Sequence, residues 1–469
     1  MNESNNLKNA VILAAGQGKR MRAATSKVLC EVAGKPMLNW VIDAARKAEA
    51  GEICVIASET DVMEAAAKAG CLTRQQTERL GTGHAVRMAE DFLEARCGGD
   101  TLILCGDNPF MDSETIGKAY GLHTRQGNAV TVITAEIADP ARYGRIIRSG
   151  DALAGIVEDA DCSEEQKKIR EINSGAFWFR TEDLLAALKK IRNDNAQGEY
   201  YLTDAVAILL EENRKAGAYK ADTEDVVLGA NDPAGLLLLN EIAAKRAVDR
   251  HLANGVQFRL RDGVVIGPDV IIEPGAVILP GCTLTGKTVI RTGAVIGPNS
   301  MVTDSEIGEG TVFESSKATD AFVGKDVRIG PYVQLRPDAR IGDKVKIGDF
   351  VEIKNSSIGE GTSVAHLTYI GDADVGKYCN FGCGVVFVNY DGEVKNRTRV
   401  GDYCFVGCNT NLIAPVTLGD GAYTAAGATV TKDVPAGALA ISREALVIKD
   451  GWAAKKLKKY IEKKQKLSQ

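Results

Sequence analysis

A Rossmann-like α/β domain with a mostly parallel sheet, then a helical arm, then a parallel β-helix of hexapeptide repeats is the architecture predicted for this chain of 469 residues. Three observations carry it. Up to about residue 230, short apolar runs alternate with stretches of helical spacing. One continuous helical pattern follows, to about Leu252. Beyond it, aliphatic residues recur every six positions.

Each part follows from a local pattern. Ala10 to Ala15 reads as a buried strand ending in a glycine turn. Pro36 to Ala48 has helical spacing, Ile53 to Ala57 reads as a second strand, and Leu102 to Leu104 as a third that runs into Cys105, Gly106 and Asp107. Strands separated by helices predict a parallel sheet with ligands beyond the carboxyl ends of its strands. Asp232 suits a helix N-cap and Pro233 a first turn. The expected domain boundaries are therefore 1–231, 232–252 and 253–469.

In the last part Ile266, Ile272, Ile278, Leu284, Ile290, Ile296 and Val302 each lie six residues from the next. The period returns from Val323 to Ile353, and again from Val400 to Val430 with a lapse at Thr424. Such a period suits neither a helix nor a hairpin sheet. It marks a β-helix whose coils have three short flat sides. The aliphatic residue points inward and stacks on its equivalent one coil away. Two interruptions, Tyr369 to Lys377 and Val388 to Thr398, are expected to leave the prism as loops.

A net charge of -5 and a pI near 5.7 argue against a general duplex nucleic-acid binder, which needs a basic face. Small anionic substrates need only a local cluster of cations and backbone amides. The polar N-terminus has no signal-peptide pattern, and no run of 18 apolar residues occurs. A cytoplasmic location without membrane insertion is expected, with most of the 11 cysteines reduced.

The segment LAAGQGKRM, Leu13 to Met21, follows the first strand. Glycines there let backbone N–H groups approach a phosphate, and Lys19 and Arg20 add positive charge; an ordinary strand-to-helix turn has the same glycines. Further segments follow in order: SKVL from Ser26, LGTGHA from Leu80, GDNP from Gly106, YGRI from Tyr143, EINSG from Glu171 and NAQGEYYLTD from Asn195. Together they resemble the uridylyltransferase domain of bacterial N-acetylglucosamine-1-phosphate uridylyltransferases over residues 9 to 231. The resemblance implies in-line attack of a sugar 1-phosphate on the α-phosphorus of UTP, with pyrophosphate leaving. Such a reaction needs positioning and charge neutralisation more than covalent catalysis. By resemblance, Asp107 and Asn231 hold one Mg²⁺, and Arg20 and Lys27 neutralise phosphates as catalytic cations. Gln76, Gly81 and Thr82 would meet uracil, and Gly144, Glu158 and Asn173 the sugar. Leu13, Ala14, Ala15, Gly16 and Gly106 would complete the UDP-N-acetylglucosamine site. Two positions depart from the family pattern: Ser26 stands where Pro is usual, and Asn108 where an apolar residue is common.

The four histidines are at 84, 123, 251 and 366. His84 sits in the LGTGHA turn, His123 and His251 read as solvated near helix ends, and His366 lies at the edge of the first interruption. A neutral imidazole is the usual base for an amine near neutrality, although a lone His beside a turn also makes plain structural hydrogen bonds. The neighbours LRP from Leu335, FVEIK from Phe350, AHLTYIGDA from Ala365, VNYDG from Val388, LIAPV from Leu412 and LAISR from Leu439 resemble the N-acetyltransferase domain of the same bifunctional family. That resemblance makes the β-helix left-handed and His366 the general base. His366 would deprotonate the amino group of glucosamine 1-phosphate for attack on acetyl-CoA. Arg336 and Lys354 would grip the sugar phosphate, and Tyr369 and Asn380 would line the sugar pocket. Asn389 and Tyr390 would serve sugar and coenzyme, and Cys383, Cys408, Ala426 and Arg443 the acetyl-CoA. The family commonly has Thr within the segment that here reads Gly384 to Phe387, and Ser at Cys408.

Two features admit other readings. Cys379 and Cys383 repeat the spacing of Cys404 and Cys408, which would suit zinc, but Cys379 and Cys404 fall at the small position of the repeat and suit buried thiols. The Lys-rich tail from Ala453 to Gln469 suits a solvated helix, with some lysines near the coenzyme by resemblance. Three functions remain in view: a two-site enzyme of UDP-N-acetylglucosamine synthesis, a nucleotidyltransferase with the β-helix as an assembly platform, and a non-catalytic subunit. The presence of His366, Asn389 and Tyr390 favours the first over the second, and Lys27 with Asp107 counts against the third. A homotrimer is implied by the resemblance.

Overall fold

The computed structural model describes residues 7–16, 18, 21 and 25–467. Arg20, expected as a catalytic cation, lies outside the described residues, as does Lys19. Two compact units emerge: one runs up to Arg250 and includes Val265–Asp269, and the other comprises His251–Val264 and the chain from Val270 onward. Among the described residues, no helix is long and apolar enough to cross a membrane.

The first unit is built on one mixed sheet. Strand Lys8–Ala14 lies between Asp100–Cys105 and Glu52–Ala57, and Leu72–Gln75 extends the edge, all in parallel. The three inner strands, Lys8–Ala14, Glu52–Ala57 and Asp100–Cys105, are largely apolar on both faces, as a sheet covered on both sides requires. Ile12 and Leu102 pack into one core and Val11 and Ile103 into the other. The sheet is less uniformly parallel than the pattern predicts. Glu171–Arg180 runs antiparallel between Asp100–Cys105 and Val130–Glu136, and a hairpin of Arg145–Ser149 with Ala152–Val157 joins it. The expected first helix appears as Met37–Lys47. The helix Pro233–Ala253 begins as expected, with the Asp232 carboxylate accepting the Gly235 N–H at 2.8 Å.

The second unit is a parallel β-helix of three sheets, with 11, 10 and 9 strands. Most strands are two or three residues long, because the chain must turn a corner every five or six residues. Val277–Ile278, for example, pairs in register with Val295–Ile296, and Ile278 and Ile296 are both fully buried. The lapse at Thr424 has a reason. Its buried hydroxyl accepts the Gly407 N–H at 3.0 Å and bonds to the Thr410 hydroxyl at 3.0 Å, so an inward polar group is satisfied.

The first interruption is not a loop. Tyr369–Gly371 pairs with Glu352–Lys354, and Ala373–Val375 pairs with Thr398–Val400, so the ladder is unbroken there. The inward residues Ile370 and Val375 are simply five apart, one side of the coil being a residue short. The second interruption does leave the prism. Between Val386–Val388 and Thr398–Val400 the chain loops out, pinned by a bridge between Tyr390 and Lys395.

Two histidines also differ from expectation. His123 is buried, with Nδ1 3.0 Å from the Thr131 hydroxyl and Nε2 3.5 Å from the Asp100 carboxylate. His251 is buried as well, because both sit on the packed side of their helices. The C-terminal helix Trp452–Leu467 is exposed, as expected.

Candidate functional site

In the first unit, a cleft of about 490 Å³ opens beyond the carboxyl ends of the parallel strands. Leu13, Ala14, Ala15, Gly16, Lys27, Gln76, Gly81, Thr82 and Asp107 line it, nine of the residues named for this unit. Gly106 carries the chain past Leu13, donating its N–H to the Leu13 carbonyl at 2.9 Å, and so delivers Asp107 to the cleft.

The turn after the first strand needs its glycines. Gly18 has a left-handed φ of 53°, and a Cβ there would stand 2.7 Å from the Lys27 Cβ. This close approach seats Lys27, whose ammonium pairs with the Asp107 carboxylate and donates to the Asn231 side-chain oxygen at 2.7 Å. Lys27, Asp107 and Asn231 are far apart in sequence and meet here. Ser26, the departure from Pro, is buried just before Lys27, and its carbonyl accepts the Leu29 N–H at 2.9 Å.

The residues expected to meet uracil form one network. Gln76 Nε2 lies 3.3 Å from the Gly81 carbonyl and 3.0 Å from His84 Nδ1. Gly81 has φ 106°, and a Cβ there would meet the Tyr200 carbonyl at 2.6 Å, so no larger residue fits against NAQGEYY. Thr82 ties the same two segments: its hydroxyl accepts the Leu202 N–H at 3.0 Å.

Gly144, Glu158 and Asn173 also come together, though they do not line that cleft. The Asn173 N–H donates to the Gly144 carbonyl at 2.8 Å, and a Cβ on Gly144 would stand 3.2 Å from Glu158 Oε2. Glu158 accepts the Thr203 hydroxyl at 2.9 Å. Burial pushes the Glu158 carboxyl above its ordinary value. Burial also pushes neighbouring Asp204 up to about 6, helped by the charges of Glu158 and Asp161. Asn108, the other departure, donates to the Ser174 carbonyl at 3.1 Å and so ties Asp107 to the EINSG segment.

Sequence reasoning passed over Arg79 and Glu199, which line the cleft too. The Arg79 guanidinium donates to the Ala15 carbonyl at 2.9 Å and the Ser58 hydroxyl at 2.8 Å, and pairs with Glu59 at 3.2 Å. Its one sequence signal is a cation placed directly before LGTGHA.

In the second unit the named residues fall into three groups. His366 ends a strand opposite Asp349 in the neighbouring coil, and its Nδ1 lies 3.1 Å from the Asp349 carboxylate. The imidazole is 59% exposed, so the ring is open to an incoming group. The imidazole beside Asp349 holds that carboxyl below its ordinary value. Asn380 lies on the same sheet, next to Ser363.

The second group lies on the adjacent sheet. Arg336 donates to Glu352 at 2.7 Å, Glu352 stands opposite Tyr369, and Lys354 opposite Gly371. The Lys395 ammonium stands beside Lys354 and holds that amine below its ordinary value. Two neighbouring ammonium groups with a guanidinium nearby suit an anion. Lys395 comes from the projecting loop, whose residue pattern carries no sign of its return to Lys354. Buried Asn389 donates to Asp372, while exposed Tyr390 donates its hydroxyl to the Gly392 carbonyl at 2.6 Å.

The third group is a column. Asn409 N–H donates to the Cys383 carbonyl at 2.8 Å, and Gly427 N–H to the Cys408 carbonyl at 2.7 Å, which stacks Cys383, Cys408 and Ala426 on successive coils. The Arg443 guanidinium donates to the Ala426 carbonyl at 3.0 and 3.2 Å. Cys379 and Cys404 are buried, their thiols on the carbonyls of Gly401 and Gly419 at 3.0 and 3.2 Å, as small residues filling a prism corner. Among the described residues no cluster of three metal-ligating side chains occurs, so the zinc reading has no support there.

Residues 10–194 match the MobA-like NTP transferase domain family, and residues 320–355 and 397–432 match the six-repeat bacterial transferase hexapeptide family. Over 452 residues the chain is 47% identical to the bifunctional protein GlmU of Clostridium acetobutylicum, an alignment covering 96% of this chain and 99% of that protein. It is 46% identical to the GlmU of Thermoanaerobacter pseudethanolicus over 96% of this chain and 98% of that one. It is 47% identical to the GlmU of Caldanaerobacter subterraneus subsp. tengcongensis over the same shares. The chain belongs to the bifunctional GlmU family, in which a uridylyltransferase and an acetyltransferase on one polypeptide serve UDP-N-acetylglucosamine synthesis.

Proposed function

We propose that the cleft of the first unit transfers uridylyl from UTP to N-acetylglucosamine 1-phosphate, and that the His366 region of the second unit acetylates glucosamine 1-phosphate from acetyl-CoA. The observation that carries the reading is the meeting of Lys27, Asp107 and Asn231 beyond the carboxyl ends of the parallel strands. Asp107 and Asn231 present a carboxylate and an amide oxygen, both now turned on one ammonium. A hard divalent cation such as Mg²⁺ suits that pair of oxygens. Asp107 and Asn231 would hold it, and it would draw charge from the phosphates of UTP.

The remaining work falls to the chain itself. Lys27, at the mouth of the cleft, would meet the phosphate charge. The turn at Ala14 to Gly16 offers backbone N–H groups to the phosphates. Gln76, Gly81 and Thr82 hold uracil edge-on, which sets the nucleotide's register. Gly144 leaves room for the sugar, with Glu158 and Asn173 on its hydroxyls. The attacking phosphate oxygen then lies in line with the bond to pyrophosphate, and positioning supplies most of the rate.

In the second unit, Arg336, Lys354 and Lys395 hold the sugar phosphate. His366 takes a proton from the amine as it attacks the thioester carbonyl, and Asp349 keeps the ring oriented through Nδ1. This leaves Nε2 as the basic nitrogen. Cys383, Cys408, Ala426 and Arg443 line the coenzyme's path. Assembly as a homotrimer and a cytoplasmic location complete the reading.

The test is a pair of assays on one preparation: pyrophosphate release from UTP with N-acetylglucosamine 1-phosphate, and CoA release from acetyl-CoA with glucosamine 1-phosphate. His366→Ala is expected to cut CoA release by about 10²-fold or more and to leave pyrophosphate release unchanged. Equal loss of both, or of neither, would overturn the assignment.

A further inference from the structure

The column beside Arg443 contains two thiols that neither reaction consumes. Asn380–Phe381 pairs in register with Phe405–Val406, and the register continues past the strands: Gly382 N–H donates to the Val406 carbonyl and Asn409 N–H to the Cys383 carbonyl, each at 2.8 Å. Cys383 and Cys408 thus take equivalent places on adjacent coils. Adjacent strands lie about 4.8 Å apart, inside the roughly 4.4–6.8 Å Cα separation that a disulfide spans. The Cys408 sulfur leans over the neighbouring coil, since a Cβ built on Gly382 would lie 2.8 Å from it.

The same register stacks Cys379 on Cys404 four residues earlier, the Asn380 N–H donating to the Cys404 carbonyl at 2.9 Å. That pair is sealed in the prism. Cys383 is half-buried and Cys408 exposed, so theirs is the stacked pair that an oxidant in solution meets.

We propose that Cys383 and Cys408 are an oxidant-sensitive thiol pair that a peroxide closes to a disulfide, switching off acetyl transfer. The consequence for activity rests on the acetyltransferase reading given above; the thiol chemistry does not. The Cys408 thiolate attacks one peroxide oxygen, forming a sulfenic acid and releasing water. The Cys383 thiolate then attacks that sulfur, the S–S bond forms, and a second water leaves. Two thiols lose two electrons and two protons, and hydrogen peroxide is reduced to two waters. The bridge draws the two corners together along the path assigned to the coenzyme, whereas the cleft of the first unit holds neither thiol.

The experiment uses the full chain, reduced with dithiothreitol, desalted and treated with hydrogen peroxide. Non-reducing peptide mapping is run beside the two activity assays. The expected result is a peptide cross-linked through Cys383 and Cys408, acetyl transfer lowered about tenfold, the loss of one good coenzyme contact, and pyrophosphate release unchanged. Dithiothreitol restores the lost activity. A Cys408→Ser variant gives no cross-link and shows the same acetyl transfer before and after peroxide, whatever its starting level. The proposal is overturned by a map without the Cys383–Cys408 peptide, by a bridge at Cys379 and Cys404 instead, or by a bridge that leaves acetyl transfer intact. Absence of acetyl transfer in the fully reduced protein would remove the acetyltransferase reading, while the peptide map would still decide the thiol pair.

Discussion

Lys27 is held by contacts that the sequence shows only in pieces. Its cationic character and its place after a glycine turn are visible in the chain; its partners Asp107 and Asn231 lie 80 and 204 residues on, and only the sheet brings them together. Arg79 illustrates what cannot be read so. A single Arg before a motif has no pattern, yet its guanidinium ties the Ala15 carbonyl to Ser58 and Glu59 at the cleft wall. If Arg79 holds the phosphate turn open, Arg79→Ala should weaken UTP binding about tenfold, read as a rise in KM, with a smaller effect on kcat. Steady-state kinetics of pyrophosphate release check it; an unchanged KM would make Arg79 a surface brace only. Lys395 was hidden for a similar reason. Its approach to Lys354 depends on how the projecting loop folds back, which no periodicity encodes.

At the scale of elements, legibility followed period. The inward aliphatic residues of the β-helix announce themselves because each flat side repeats the same demand for one large buried side chain. The five-residue sides broke that count without breaking the ladder, so an unbroken segment read as a loop. In the first unit the central strands were plain, whereas Glu171–Arg180 was not, because an antiparallel strand buried between parallel ones looks like any apolar run. The helix Thr203–Glu211 supplies a pH prediction. Asp204 in its first turn is raised from 3.8 to about 6 by burial and by the nearby Glu158 and Asp161. A carboxyl raised on folding favours the protonated folded state. Its stabilising share is full below the unfolded value and is lost as pH rises through about 6. Asp204→Asn, which stays neutral, should therefore gain in Tm relative to the parent as pH goes from 4 to 7 (~3 units). A Tm difference that does not change with pH would show that Asp204 is not perturbed.

At the scale of the whole molecule, one polypeptide carries two separate chemistries. The division of the chain into two compact units gives this a structural basis, since each group of candidate residues lies within one unit. A product that leaves the second unit as N-acetylglucosamine 1-phosphate is the acceptor for the first, so the two steps need share only solution. The decisive measurement is a mixing experiment. Lys27→Ala and His366→Ala proteins are each supplied with glucosamine 1-phosphate, acetyl-CoA and UTP, alone and combined, and UDP-N-acetylglucosamine is followed by chromatography. Neither variant alone should make appreciable product, and the mixture should make it at a rate near that of the parent protein. A silent mixture, or product from either variant by itself, would contradict the two-site account.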